Sequence, residues 1–378
     1  DGWMDHTSPP SSAGPPRLPR MNRWPRSRLE SLPVEIIQKI FLECLEINLP
    51  RASIHIASAL SDPLIYTWLI RLAFSSANES SRHGFFTPDF LPPPLDFFAL
   101  SPAERRDLQT NILQCRWSTL ALMRKCQREY VEHAIRIKCK DLIFSPEDRR
   151  RLANLDECFA RRAECDQGRN GRRGKGDLVL TAKAPNSNAD LKVAIWFNFG
   201  ALQIREPSPV FYETDVFRLP CCSIDYPARM PDKLLKPPWT EGKLEYLALL
   251  STEAYIDEGS SYDRSKQVLR QVIRDRDFPT FERLLNMHIR TKVYNYPLRW
   301  PARPTHFRAA LRYADDHDDP FIRLLVEKRW QELPPNDVRL RAALLAKDGR
   351  SRIRGRERER QQEQEQEQEQ EREREVEE

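Results

Sequence analysis

The strongest constraint on the fold lies between Leu29 and Ser76. Ile36, Ile37, Ile40, Phe41, Cys44 and Leu45 follow one another at intervals of 1, 3, 1, 3 and 1 residues, the repeat that lines one face of an α-helix. Pro33 is expected at the first helical position, where a missing N–H costs nothing. Asn48-Leu49-Pro50 interrupts this helix, Ala52 to Leu60 reads as a second, and Asp62-Pro63 supplies an N-cap and first-turn proline to a third. Leu64, Ile65, Trp68, Leu69, Leu72 and Ala73 repeat the apolar spacing there. A unit this short cannot bury enough surface to be stable alone. Six apolar side chains on the first helix, at about 2 kcal/mol each, leave roughly 12 kcal/mol of burial to be satisfied by the rest of the chain or by a partner.

Composition narrows what the rest can be. Only 12 of 378 residues are glycine and 30 are proline, which disfavours folds that cradle phosphate on glycine-rich turns. The eight cysteines form no CxxC pair, so neither a disulfide framework nor a zinc knuckle is indicated, and a reducing intracellular compartment, cytoplasmic or nuclear, is expected. The stretch lowest in charge, Ala52 to Ile70, contains His55, Asp62 and Pro63 and fails the requirement for a membrane span. Net charge is +5, but residues 351–378 hold seven arginines and eleven glutamates, so the first 350 carry +9.

Along the chain, residues 1–28 read as a Pro-rich, unpacked leader without the apolar core of an export signal, followed by the three-helix module over 29–78. Residues 79–166 read as a helical connector. It opens with the Phe- and Pro-rich run Ser80 to Leu100 as an ordered irregular segment, and continues with helices started by Ser101-Pro102-Ala103-Glu104 and by Ser145-Pro146-Glu147-Asp148. Residues 177–220 change texture, and the simplest reading is a three-stranded antiparallel meander of Leu178 to Leu180, Leu191 to Ile204 and Val210 to Phe217. Residues 239–347 read as helical again: Thr240 to Tyr255, Tyr262 to Arg274, Phe278 to His288, His306 to Tyr313, Pro320 to Trp330 and Asn336 to Ala346. Phe281-Glu282-Arg283-Leu284-Leu285 returns forty residues later as Phe321-Ile322-Arg323-Leu324-Leu325, a degenerate helical repeat of possible ankyrin type. Residues 348–378 form a charged low-complexity tail. The fold class expected is α+β, mostly α, with the module, the connector, a small antiparallel meander and a C-terminal helical region.

No motif for catalysis stands out. GxSxG and HExxH are absent, as is HxE with a later CxxC. Cys126, His133 and Cys139 fall short of a four-ligand site and read as packing, as does the pair Cys221-Cys222. Gly168 to Gly176 resembles a phosphate loop, but Gly176 stands where Ser or Thr is needed and Arg169 where glycine is. A solvated linker is the better reading, with a weak polyanion contact as its functional alternative. Asp315, Asp316, Asp318 and Asp319 with His317 read as a solvated turn between helices. No cofactor and no metal are expected.

The run Leu32-Pro33-Val34-Glu35-Ile36-Ile37-Gln38-Lys39-Ile40-Phe41, with Cys44-Leu45-Glu46-Ile47-Asn48-Leu49, resembles the opening of the F-box, and its extension to Trp68 looks like an F-box-like module of the fungal type. Where that pattern ends in Val-Ser-x-x-Trp, this chain has Ile56-Ala57-Ser58-Ala59-Leu60 and its tryptophan only at Trp68. The resemblance implies an adaptor rather than an enzyme. The module would bind the Skp subunit of a cullin-type ubiquitin ligase, and the downstream region would present a protein target. By position, it implies apolar contacts from Leu32, Pro33, Ile36, Ile40, Phe41, Leu45 and Leu49, with Glu35 as a polar rim contact. Two alternatives stand beside it: the helices serve only as an internal packing element, or the basic loop 168–176 binds polyanions or nucleic acid.

Overall fold

The structure is a computed structural model that describes residues 27–165, 176–185, 189–207, 216–314 and 318–348. The leader up to residue 26, residues 166–175 with all of the basic loop 168–176 but Gly176, the acidic stretch 315–317 and the tail from 349 lie outside the described residues.

Three helices, α1 (Val34–Cys44), α2 (Ile54–Ala59) and α3 (Pro63–Phe74), build the N-terminal module. Pro33 stands at the N-cap of α1, one position earlier than expected. Ser53 Oγ accepts from the Ile56 amide at 3.2 Å and Asp62 Oδ1 from the Leu64 amide at 2.8 Å, each supplying one of the acceptors that the first turn of a helix lacks. α1 is tied to α2 by the Gln38 amide, which donates to Ala59 O at 2.9 Å.

The irregular segment after α3 is ordered by its rings, as expected. Phe85, Phe90 and Phe97 are buried; Phe86 stacks on Phe97 with centroids 4.3 Å apart, and Phe85 meets Phe217 at 5.0 Å. The connector then forms α4 (Pro102–Gln114), α5 (Leu120–Lys138), α6 (Pro146–Ala153) and α7 (Leu155–Ala160). Ser101 and Glu104 close the anticipated capping box on α4, at 3.2 and 2.9 Å. Both α4 and α5 pack on α3, and Arg71 clamps that contact by pairing with Glu129 at 2.8 Å and donating to Phe90 O at 2.9 Å.

The sheet is larger than the expected meander. β1 (Ile143–Phe144), β2 (Leu178–Lys183), β3 (Asp190–Trp196), β4 (Ala201–Arg205) and β5 (Val216–Arg218) lie in sequence order, all antiparallel. The segment read as one strand, Leu191 to Ile204, is a hairpin whose turn runs from Phe197 to Gly200. Its apolar texture hid that turn, and only Gly200, at φ +59°, marks it. Of the expected strand Val210 to Phe217, residues 210–215 lie outside the described residues. Register places Leu178, Leu180, Val193, Ile195, Leu202 and Phe217 on one face, which joins the main core against α5. Ala194, Trp196 and Ala201 form a second cluster on the other face.

The C-terminal region contains α8 (Glu241–Leu250), α9 (Asp263–Arg274), α10 (Phe278–Leu285), α11 (Pro304–Tyr313), α12 (Pro320–Arg329) and α13 (Val338–Lys347). Two expected helices end early. The residues after α8 form β6 (Tyr255–Asp257), and those after α10 form β7 (His288–Thr291), parallel to β6 and followed by antiparallel β8 (Leu298–Arg299). The forty-residue signature has a structural counterpart: α9 packs on α11 and α10 on α12, so the two helical pairs stack first on first and second on second. Phe281 and Phe321, equivalent in the signature, meet with ring centroids 4.9 Å apart. The described part is about 52% helical, an α+β fold that is mostly α.

Candidate functional site

α1 carries the candidate site, and its apolar surface divides in two. Adjacent residues on a helix stand about 100° apart, so the 1, 3, 1, 3, 1 spacing builds two neighbouring rows one turn apart in step. One row turns inward: Ile37 is 1% exposed, Phe41 3%, and Leu42 beside them is buried. The other row turns outward, with Ile36 at 43% and Ile40 at 37%, while Val34, 47% exposed as the first residue of the helix, lies on the opposite side in line with Ile37 and Phe41. Ile36, Ile40 and Cys44 line a shallow groove bordered by Lys39 and Glu43.

The residues expected to meet a partner therefore separate by position. Pro33, Glu35, Ile36 and Ile40 are exposed; Leu32, Leu45 and Leu49 are half-buried and packed against the core. Phe41 is placed inside the chain's own core, so its ring is not part of the outward strip. The reason is α2, which packs on α1 and leaves the outer row bare. Leu45 closes the helix in a left-handed conformation, φ 51°, with its amide donating to Phe41 O at 2.8 Å. Lys39, Glu43 and Cys44 join the strip without having been singled out as contacts. Ile54 and Leu64, at the starts of α2 and α3, are two further exposed apolar side chains in the module.

The side chains weighed as chemical groups are held in packing roles. His133 lies against Phe90 at 4.0 Å between ring centroids, accepts from Arg136 at one nitrogen, 2.8 Å, and donates from the other to Phe85 O, 2.6 Å. Burial lowers its pKa. Cys126 and Cys139 are buried, and burial pushes both thiols up to about 12. Asp319 caps α12, accepting from Phe321 and Ile322, and pairs with Arg276. Among the described residues no three His, Cys, Asp or Glu side chains are grouped to hold a metal ion, and no helix is long and apolar enough to cross a membrane.

Comparison of the chain with protein-family models, with curated proteins and with solved structures found no significant match.

Proposed function

We propose that this chain is a non-enzymatic adaptor that binds the Skp subunit of a cullin-type ubiquitin ligase through the outward row of α1 and holds a protein target on its downstream region. The observation that carries this reading is the bare strip of Ile36, Ile40 and Cys44 on a helix whose opposite face is fixed in the core. The helix is thereby presented rigidly, so docking loses little conformational entropy. Completing the burial of the two half-exposed isoleucines contributes roughly 1–2 kcal/mol, and Ile54 and Leu64 are further apolar surface in the module. The resemblance of residues 32–49 to the F-box supports the same partner. An adaptor raises the effective concentration of its target near the ubiquitin-loaded enzyme, which requires placement and no reactive side chain.

A second reading has its own observation. The inner row of α1 and nearly all of α3 share the core of the whole chain, as a purely internal packing element would.

Ile36→Asp with Ile40→Asp separates the two, because both positions are exposed and the variant keeps its fold. Phe41→Asp is unsuitable, since a buried carboxylate there disrupts the core. On the adaptor reading, recovery of the Skp subunit with the tagged full chain falls by about 30-fold or more, as loss of a central apolar anchor does. Equal recovery by wild type and variant, or none by wild type, leaves only the packing role.

A further inference from the structure

The second face of the sheet does not pack on the main core; it forms one wall of a cleft of about 490 Å³, within the range of sites for small organic ligands. Val216 and Ile224 give the lining its accessible apolar surface, over Trp196 and Ala201, which are 1% and 3% exposed, and α4 contributes Arg105 and Gln109; Cys221 also lines the cleft. Ile224 is 59% exposed there.

Arg105 differs from four other inward-turned arginines. Arg71, Arg124, Arg218 and Arg276 each meet a carboxylate, from Glu129, Glu245, Glu253 and Asp319 respectively. Arg105 meets none among the described residues. One of its terminal nitrogens donates to Phe97 O at 2.9 Å and Leu100 O at 3.3 Å, and its guanidinium carbon lies 3.8 Å from the Phe97 ring centroid. Burial lowers its pKa, opposed only by the nearby Cys221 thiol. The carboxylate that lines the cleft, Glu79, pairs with Arg82, and Glu253, outside the lining, is held by Arg218 and the Cys222 amide. A half-buried cation without a counter-charge, beside an apolar wall, is matched by a ligand carrying one carboxylate on an apolar body.

We propose that this cleft binds such a carboxylate ligand, with Arg105 holding the anion and Val216 and Ile224 the apolar body. A free organic acid and the C-terminal residue of a peptide share this chemistry. The assignment stands whether or not the α1 strip binds a partner, because its test uses the chain alone.

The probes are 3-phenylpropionate against 3-phenylpropanamide, and Gly-Gly-Phe with a free against an amidated C terminus, titrated calorimetrically into the full chain. At least one acid binds about tenfold more tightly than its amide; which acid binds better identifies the source. Arg105→Gln removes the acid's advantage while leaving amide binding in place. Ile224→Glu, a change at an exposed rim position, weakens the acid selectively by repulsion and keeps the test valid if the Arg105 variant folds poorly. Bound acid also slows alkylation of Cys221 by iodoacetamide but not that of exposed Cys44. Equal binding of acids and amides, no binding by any probe at millimolar concentration, an acid preference that survives both substitutions, or binding that leaves Cys221 alkylation unchanged overturns the assignment.

Discussion

Gly200 sits where a side chain has no room. At φ +59° it holds the turn between β3 and β4, and a Cβ there would lie 2.7 Å from Gln127 Cγ and 2.8 Å from Leu219 O. One of those neighbours is backbone, so the clash is not relieved by a rotamer change. Gly200→Ala is expected to cost about 2–4 kcal/mol, combining left-handed strain with overpacking, read as a lower urea midpoint. A midpoint equal to wild type removes the close approach of α5 to the turn. His306 gives a second residue-scale prediction. Its Nδ1 accepts from the Arg303 amide at 2.8 Å and its Nε2 donates to Lys266 O at 2.9 Å, an arrangement that only the neutral ring satisfies. Burial lowers its pKa from 6.5 to about 4. A base with a depressed folded pKa contributes stability that is fully present above the unfolded value and is lost as pH falls from about 6.5 through about 4, here up to about 3 kcal/mol. His133 and His288 shift in the same direction, so the measurement is the difference between wild type and His306→Gln. The variant's unfolding free energy has the shallower pH slope between 4 and 6.5, whereas parallel curves assign the linkage elsewhere. Neither residue was marked by spacing: Gly200 was one glycine within an apolar run, and His306 was legible only as the start of the expected helix His306 to Tyr313.

At the scale of the element, periodicity identified helices better than it oriented them. The interval pattern of α1 is a local property, and the helix follows from it. Which of its two rows the core takes depends on where α2 arrives, and that is set by contacts more distant in sequence. Ile40 and Phe41 therefore look alike in the chain and differ in the fold. Phe41→Ala is expected to cost about 3–4 kcal/mol through a core cavity, whereas Ile40→Ala costs under about 1 kcal/mol, since its side chain is already partly in water. Chemical denaturation of the two single variants measures this; equal losses mean that α1 is rotated relative to the description above. Caps were legible for the same local reason, as Ser101, Ser145 and Asp62 show. The strands after α8 and α10 were not. Tyr255 to Asp257 and His288 to Thr291 are each only a few residues long, and their pairing with each other supplies what their composition does not.

At the scale of the whole molecule, the order of segments was legible but their fusion was not. Buried residues from Ile37 to Leu344 belong to one continuous cluster, and α3 lies within it rather than at the edge of an N-terminal unit. Tyr66 stacks on Trp117 with centroids 4.4 Å apart. Gln109 donates to Ala73 O at 2.7 Å, the Ser76 amide donates to Arg218 O at 3.0 Å, and the Ser76 hydroxyl bonds Tyr130 at 3.0 Å. These contacts cross from the module to the connector and to the sheet, and they use residues with no periodic pattern, which is why the chain read as a row of separable parts. Residues 27–78 cut from the chain would expose Leu72, Ala73 and Phe74 to water, a loss of several kcal/mol for a unit already too small to hold a core. The fragment is therefore expected to show no cooperative thermal transition and collapsed NMR amide dispersion, while the full chain with Ile36→Asp and Ile40→Asp unfolds at the wild-type temperature. A fragment that melts cooperatively would mean that α3 closes its core within the module. The outward row of α1 would then be displayed by an independent unit, and not by a helix held from behind by the rest of the molecule.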